Sequence, residues 1–434
     1  MMKSQWCKCA AGMMMVFLVS VNAFGIEVIR KEDKELDINI HGQVLGFGER
    51  VKDPSRNDLR LYLFLKQARL NFKGRFDDFK YHMQLVFGGE EEVKDKNASL
   101  GLLDLSVDFP ITSMIRLKIG QFNVPYSRER VTDDAFFLFT DRSIQNLGFR
   151  VGRDVGVAVH GYFPYDIAAT IGVFTGGGRD IPLRFIPQKL GTPLFVTRFG
   201  INKGLDEDIF TLKQNNFRKD SSGWALFMNG LFMRDSNVGH STVMNVKATE
   251  KSLLTNSNWN PFINLSPLDR GDLWQGGADF AVRTSVSSCI VSAEAEANYA
   301  KYANGYGGLS LMGGRMQTSL YKAPFEVAVR YAALRPDSRF RYFDSKNKTT
   351  FDITPTGGLI HEVGPSLNFY FKEHHAKIIF EPSVLINVPV ATEPGIGSYV
   401  LTDQVDQTSV LALSGASVAR KVVPQAKLLF QMNF

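Results

Sequence analysis

The chain has 434 residues, of which 44% are hydrophobic and 22% are charged, and its formal net charge at pH 7 is +6. So small a positive excess on so long a chain does not indicate a nucleic-acid-binding protein. Of the three cysteines, Cys7 and Cys9 lie in an N-terminal segment that resembles a targeting signal. Cys289 is then alone, which excludes an internal disulfide and a paired-cysteine metal or haem motif.

The N-terminus has the pattern of a secretory signal peptide. Two lysines precede an uncharged run at 10–25, and Ala23 and Gly25 are small residues at the positions that a signal peptidase recognises. An N-terminal membrane anchor is the alternative, but the run is shorter than the roughly 20 residues of a spanning helix. We expect residues 1–25 to be a signal peptide and 26–434 to be one domain. Removal of the two lysines lowers the formal charge from +6 to +4.

The mature chain consists mainly of alternating segments of roughly ten residues separated by turns, which is typical of a transmembrane β-barrel. Successive side chains of a strand point to opposite faces, so a strand between lipid and a water-filled lumen alternates apolar and polar residues. In the segment 64–76, Leu70 and Phe72 alternate with Arg69 and Lys73. The mean hydropathy of -0.09 does not exclude a membrane protein, because only every second residue faces lipid.

This alternation predicts an all-β fold, a transmembrane antiparallel β-barrel of about sixteen strands. An even number of strands places both termini at one end of the barrel, with short turns there and long loops at the other end. The predicted strands are 38–48, 64–76, 81–87, 103–109, 115–120, 155–163, 167–173, 194–202, 224–233, 273–284, 289–302, 309–320, 325–334, 359–371, 375–387 and 425–434. The pattern breaks at 203–222, where a short turn is expected but the sequence is long and charged. Either a strand pair lies there or the turn is elaborated.

A long irregular loop at 121–152 separates the fifth and sixth predicted strands. It is too rich in Arg, Asp, Pro and Gly for a strand, yet it contains Phe136, Phe137 and Phe139. Long loops inside β-rich chains are usually functional or disordered, and the aromatic residues argue against disorder. We expect this loop to fold into the lumen and narrow it. Its phenylalanines are expected to pack the loop against itself rather than to bind a solute.

Several motifs in and around this loop follow a recognisable order. They are Gly120-Gln121, Pro125-Tyr126-Ser127, Asp141-Arg142-Ser143 and Arg153 to Gly156, followed much later by the strands Phe325 to Tyr331 and Leu367 to Phe371. Their order and spacing resemble the phosphate-selective porin O and P family. In that family, a strand ends in G-Q-x-x-x-P-[FY]-S, and an E/D-R-S element and R-x-x-G follow.

The resemblance implies an outer-membrane channel for passive diffusion in a bacterial cell, commonly a homotrimer. The partners implied are outer-membrane lipid and lipopolysaccharide, small anions, and the barrel-assembly machinery. That machinery recognises a C-terminal strand ending in phenylalanine, which is Phe434 here. We expect no cofactor, no metal and no nucleic-acid partner.

A barrel of this size leaves an aqueous channel whose selectivity depends on the charges that line it, and Arg or Lys favour anions. Arginine is suited to this role because its guanidinium donates two hydrogen bonds to a phosphate or carboxylate. The candidate pathway residues on the wall, chosen opposite the apolar face, are Arg69, Lys73, Arg75, Arg116, Lys118, Arg283 and Arg330. The candidates in the loop or at its exit are Arg128, Arg130, Arg142, Arg150 and Arg153.

Four carboxylates, those of Asp104, Asp108, Glu294 and Glu296, are also predicted to face the lumen. Many of the arginines could therefore pair with carboxylates and hold the loop in place instead of contacting ions. For Arg142 we favour this structural role, in which a carboxylate ties the loop to the wall.

We therefore predict a channel for small anions, phosphate or related oxyanions. One alternative is a general or weakly selective porin. Another is a structural barrel that anchors a partner protein, although a loop across the lumen argues against it. Catalysis is not indicated, because the sequence has neither an H-E-x-x-H nor a G-x-S-x-G motif.

Overall fold

In the computed structural model, the alternating segments form a closed antiparallel β-barrel of sixteen strands, and the predicted fold class is confirmed. The structure describes residues 26–31, 33–52, 57–89, 101–149, 151–176, 178, 192–205, 208–212, 214, 217, 222–237, 270–304, 307–344, 349–353, 359–393, 397–400 and 417–434. The predicted signal peptide at 1–25 lies outside these residues. The barrel closes where the last strand pairs with the first, with Gln425 opposite Glu49.

The barrel strands are connected in chain order, and each of the sixteen predicted strands overlaps an observed one. Their bounds are β2 Lys34–Lys52, β3 Asn57–Phe76, β4 Phe79–Gly89, β5 Gly101–Pro110, β6 Ile115–Asn123, β7 Arg153–Phe163, β8 Ile167–Phe174, β9 Leu194–Lys203, β10 Gly223–Asn237, β11 Arg270–Val286, β12 Cys289–Asn304, β13 Gly307–Lys322, β14 Phe325–Asp344, β16 Ile360–Lys372, β17 Ala376–Glu393 and β19 Ser417–Asn433. Three short strands extend their neighbours: β1 Ile26–Lys31, β15 Thr349–Ile353 and β18 Gly397–Val400.

The two faces of the wall differ as the alternation predicted. Leu61 and Leu63 on the outer face of β3 are 76% and 77% exposed, whereas Arg69 on the inner face is 2% exposed. A bulge interrupts the pattern on this strand, because Gln43 lies opposite Gln67 while Val44 lies opposite Leu65. The extra residue of the bulge, Lys66, therefore also faces the lumen, where it is buried.

The connection between β6 and β7 is the constriction loop, residues 124–152. It contains one turn of α-helix, α1 Arg128–Val131, and two 3₁₀ helices, Asp134–Phe136 and Ile144–Leu147. Among the described residues, no helix has both the length and the apolar character that a membrane crossing requires.

The connection between β9 and β10, residues 204–222, is the turn-end segment, named for the barrel end that carries the short turns. Its described residues form isolated bridges and no strand, which agrees with the elaborated turn. The segment enters the lumen, where Ile209 and Phe210 are buried. Leu212 forms a parallel bridge with Thr132 of the constriction loop.

Candidate channel constriction

The constriction loop crosses the lumen from its origin between β6 and β7 to the wall formed by β16 and β17. The backbone N and Oγ1 of Thr140 donate to Glu381 Oε2 at 2.8 and 2.7 Å. Lys377 Nζ donates to the Phe137 carbonyl at 2.7 Å, and Asn368 Nδ2 donates to the Leu138 carbonyl at 3.0 Å. These contacts confirm the predicted inward fold of the loop.

Asp134 is the centre of the contacts between the loop and β3. Its carboxylate accepts from Arg69 Nη2 at 2.7 Å and from Gln67 Nε2 at 2.7 Å, both on the wall. The other oxygen lies 2.6 Å from Arg142 Nη2, within the loop. Burial raises the pKa of the Asp134 carboxyl, but the charges of Arg142, Arg69 and Lys66 outweigh burial and hold the pKa well below its usual range.

The low pKa predicts a loop that stays anchored until the pH is strongly acidic. A carboxyl whose pKa is depressed in the folded protein stabilises that state above its unfolded pKa of about 3.9, and this stabilisation is lost as the pH falls through the folded pKa. We therefore expect the single-channel conductance in a planar bilayer to stay constant from about pH 7 to about pH 4, and to change only below that. Asp134→Asn should show the altered conductance already at neutral pH. A transition of the wild type centred above about pH 5 would contradict this prediction.

A second group of contacts anchors the loop to the wall formed by β9, β10 and β11, where Arg128 of α1 contacts Asp279. Arg128 Nε donates to Asp279 Oδ1 at 3.0 Å, and Arg198 Nη1 and Nη2 donate to the two oxygens of Asp279 at 2.7 and 3.1 Å. Asn229 Nδ2 donates to the same carboxylate at 3.0 Å. One carboxylate thus joins the loop to β9, β10 and β11.

Buried ion pairs within the wall, from β12 to β16, also contact the loop. The Glu129 backbone N donates to Glu296 Oε2 at 3.1 Å, and Arg330 Nη1 donates to the Asp141 carbonyl at 2.8 Å. Arg315 Nη2 lies 3.1 Å from Glu294 Oε2, and its Nε lies 3.3 Å from Glu296 Oε2. Arg330 Nη2 lies 2.5 Å from Glu362 Oε1, and its guanidinium is 4.2 Å from the Phe139 ring centroid. The predicted inward carboxylates of β12 therefore serve as partners of buried arginines.

One cavity between the constriction loop, the turn-end segment and the wall gathers charged side chains. Its volume is about 40 Å³, room for about three water molecules. The lining includes five cationic residues, Arg69, Lys73, Lys118, Arg142 and Arg153, three carboxylates, Asp104, Asp133 and Asp134, and the side chains of His82, Phe122, Phe210 and Thr211.

Five of the twelve predicted pathway cations thus lie together at this cavity, and the structure places the other described ones elsewhere. Arg128 and Arg330 are buried in ion pairs with carboxylates of the wall, and Arg116 pairs with Asp108 at 2.6 Å. Arg283 is buried on the inner face of β11. Arg75 donates to the Asp77 carbonyl at 3.5 Å, and Arg130 donates to the Val151 carbonyl at 2.7 Å. Arg150 lies outside the described residues.

The contacts of Arg142 differ in one respect from the prediction. Its guanidinium pairs with Asp134 and lies 4.9 Å from the Phe137 ring centroid, so it contacts the loop itself. It reaches the wall only through Asp134, because the second carboxylate oxygen accepts from Arg69. Phe136 and Phe139 likewise depart from the expected packing of the loop against itself, because their rings contact His374 and Arg330 of the wall and its turn end.

The sequence-based selection of lumen cations missed five residues that contact the loop or the wall carboxylates to which the loop is bonded. They are Lys66, Arg198, Arg315, Lys377 and Lys427. Four of them have the parity of the inner face within predicted strands, and that signal could have identified them. Lys66 could not be identified by parity, because the bulge reverses the alternation at this residue.

Comparisons with known proteins agree with this architecture. Residues 35–180 match the family model described as phosphate-selective porin O and P. No curated protein matches the chain. An anion-selective porin from Comamonas acidovorans is similar in structure, with a TM-score of 0.56 and 12% identity over 92% of this chain and 100% of that chain. Outer-membrane expressed OmpT of Vibrio cholerae has a TM-score of 0.50 and 10% identity over 93% of this chain and 100% of that chain.

The in-vitro folded trimer form of Vibrio cholerae OmpT has the same TM-score of 0.50, with 8% identity over 92% of this chain and 99% of that chain. At these identities, the solved structures establish the fold alone. The family match is independent of them and covers the constriction loop. The chain is therefore a porin-type β-barrel channel of the bacterial outer membrane, and its resemblance to the phosphate-selective porin O and P family is confirmed over residues 35–180.

Proposed function

We propose that this protein is a passive diffusion channel with a preference for small anions, phosphate or related oxyanions. The observation that carries the proposal is the charge of the cavity at the constriction, where five cationic side chains face three carboxylates. Lysine and arginine in a narrow passage favour anions, and weaker solvent screening there increases the effect of each charge.

The cavity has an excess of two positive charges. One comes from Arg69 and Arg142, which share Asp134, and one from Lys73 and Lys118, which are opposed by the single carboxylate of Asp133. Among the described residues, Lys73 and Lys118 have no ion-pair partner, whereas Arg69 and Arg142 share Asp134 and Arg153 pairs with Asp104. Lys73 is exposed, so its ammonium group is available to a passing ion. The family description names phosphate selectivity, and the porin from Comamonas acidovorans is named as anion-selective, which supports the same conclusion.

A general or weakly selective porin is the second candidate, and a specific observation favours it. Most of the other inward arginines, such as Arg128 and Arg330, are neutralised by buried carboxylates. A structural barrel that anchors a partner is less consistent with a loop that crosses the lumen, and we propose no catalytic role.

We further propose that residues 1–25 are removed, that 26–434 form the mature domain, and that the channel is a homotrimer, as the trimer form of OmpT supports. We also keep outer-membrane lipid, lipopolysaccharide and the assembly machinery as proposed partners.

Ion selectivity measured on the purified wild-type channel tests the proposal. In a planar bilayer with a potassium chloride gradient, we expect a reversal potential of the sign given by chloride. Phosphate added at low concentration is expected to reduce the chloride current, because it competes for the cations of the constriction. A reversal potential near zero would reject anion preference, and anion selectivity without any effect of phosphate would reject the oxyanion assignment alone.

A further inference from the structure

The turn-end segment is a second stretch of the polypeptide that crosses the lumen, on the periplasmic side of the constriction loop. The short turns of bacterial barrels lie in the periplasm, so this segment enters from that side. Near β6 and β7, the Phe210 ring lies 5.6 Å from Phe122 and 4.9 Å from His160, measured between centroids. The Ile209 backbone N donates to Tyr162 Oη at 3.1 Å.

The same segment reaches the far wall. The Phe217 ring lies 4.9 Å from each of Tyr321, Tyr370 and His374, which belong to β13, β16 and the turn that follows β16. Contacts with β6 and β7 at one end and with β13 and β16 at the other require that the segment passes beneath the constriction loop and not along the rim.

Direct hydrogen bonds join the two elements. The Leu212 backbone N donates to the Val131 carbonyl at 2.9 Å, and the Asp133 backbone N donates to the Leu212 carbonyl at 3.2 Å. Gln214 Oε1 accepts from the Leu138 backbone N at 2.9 Å. The loop and the described residues of the segment are therefore joined to each other within the lumen.

This segment also forms part of the charged cavity. Phe210 and Thr211 line it together with residues of the wall and the loop. The Lys118 ammonium lies 4.3 Å from the Phe210 ring centroid and 4.9 Å from the Phe122 ring centroid. An aromatic face attracts a cation without neutralising its charge, so the two rings fix the ammonium group while leaving it able to attract an anion.

We propose that the turn-end segment is a second constriction element, and that Phe210 positions Lys118 for anion selection from the periplasmic side. The proposal that the segment narrows the pore does not depend on which ions the channel prefers. The role of Phe210 in selectivity rests on the proposed function. Phe210 is a positioning residue, because it acts on the ion through Lys118.

The first experiment shortens the segment. Replacement of residues 205–221 by a two-residue turn should raise the single-channel conductance by about twofold or more, because a chain that crosses the lumen has been removed. A shortened channel that inserts and conducts like the wild type would overturn the role in narrowing.

Cysteine modification tests the same point if the shortened chain does not fold. Thr211→Cys in a Cys289→Ser background places a single cysteine in the mature chain at the cavity. A charged methanethiosulfonate reagent added on the periplasmic side is expected to reduce the current. Full reaction of the thiol, verified by mass, without a change in current would show that the segment lies outside the ion path.

The selectivity role is tested by Phe210→Leu, with Phe217→Leu as the matched control. Both substitutions remove a ring from the same segment, but only Phe210 contacts a lysine, whereas Phe217 contacts Tyr321, Tyr370 and His374. We expect Phe210→Leu to lower the ratio of anion to cation permeability by about threefold, and Phe217→Leu to leave it unchanged. Equal ratios in the two variants would overturn the role of Phe210. If the wild type has no anion preference, the proposed function fails, while the conductance of the shortened channel still decides whether the segment narrows the pore.

Discussion

Replacement of Asp279 by asparagine is expected to lower the free energy of unfolding by about 3–5 kcal/mol, because it removes one partner of a buried ion-pair network. The side chains of Asp279 and Arg198 are 0% exposed, and that of Arg128 is 1% exposed. An asparagine amide keeps one acceptor but turns two N–H donors toward guanidinium groups. Arg198 then stays buried beside no carboxylate among the described residues, and Arg128 keeps only the weaker contact of its Nη1 with Glu294 Oε1 at 3.9 Å.

Guanidinium-induced unfolding in phospholipid vesicles, followed by tryptophan fluorescence, measures this loss. The matched control is Asp166→Asn, which makes the same chemical change in an exposed turn. There φ is 61°, a conformation that asparagine tolerates. We expect the control to change stability by less than about 0.5 kcal/mol. A loss of under about 1 kcal/mol for Asp279→Asn would show that this carboxylate is not essential to the anchor.

The second large effect is expected on ion selectivity, from the double substitution Lys73→Glu and Lys118→Glu. The cavity would change from five cations and three carboxylates to three cations and five carboxylates. Unit charges a few ångströms from an ion contribute on the order of 1 kcal/mol each even in water-like surroundings, so the permeability ratio should change by roughly tenfold or more. We expect the reversal potential in a salt gradient to change sign.

A control variant with the same change in net charge separates the effect of the cavity charges from the effect of the total charge of the protein. Lys80→Glu and Lys203→Glu alter two exposed lysines that do not line the cavity. This pair is expected to shift the reversal potential much less, since neither lysine lines the cavity and salt screens exposed charges. The same shift in both double variants would mean that total charge, and not the cavity, sets the selectivity.

The strands and their two faces could be predicted because they depend on local periodicity. Arg69 was assigned to the inner face from its neighbours on the same strand, and it lies there buried. The prediction was incomplete where local geometry changes. At Lys66 a bulge adds one residue to β3. The bulge depends on the register between β3 and β2, and this register cannot be derived from the sequence of β3 alone.

The candidate site was predicted in outline only. The motifs at 120–156 indicated an inward loop, and Arg142, Arg153 and Lys118 were among the proposed pathway residues. Their partners could not be derived, because Arg69 pairs with Asp134 across 65 positions and Arg128 pairs with Asp279 across 151. Alternation specifies that each side chain faces inward, but it does not specify which inward charges meet.

The sequence by itself determined the sixteen strands, the identity of the lipid-facing surface and the position of the inward loop. Each of these depends on the two-residue period of a strand or on the composition of one segment. Only the tertiary structure decided which cations are neutralised, which ones remain at the cavity, and where the described residues of the turn-end segment lie. The reason is that closure of the barrel brings β3, β6, β11 and β17 around one lumen, and a loop that crosses it meets residues distant in the chain. The balance of charge at the constriction is thus a property of the closed barrel.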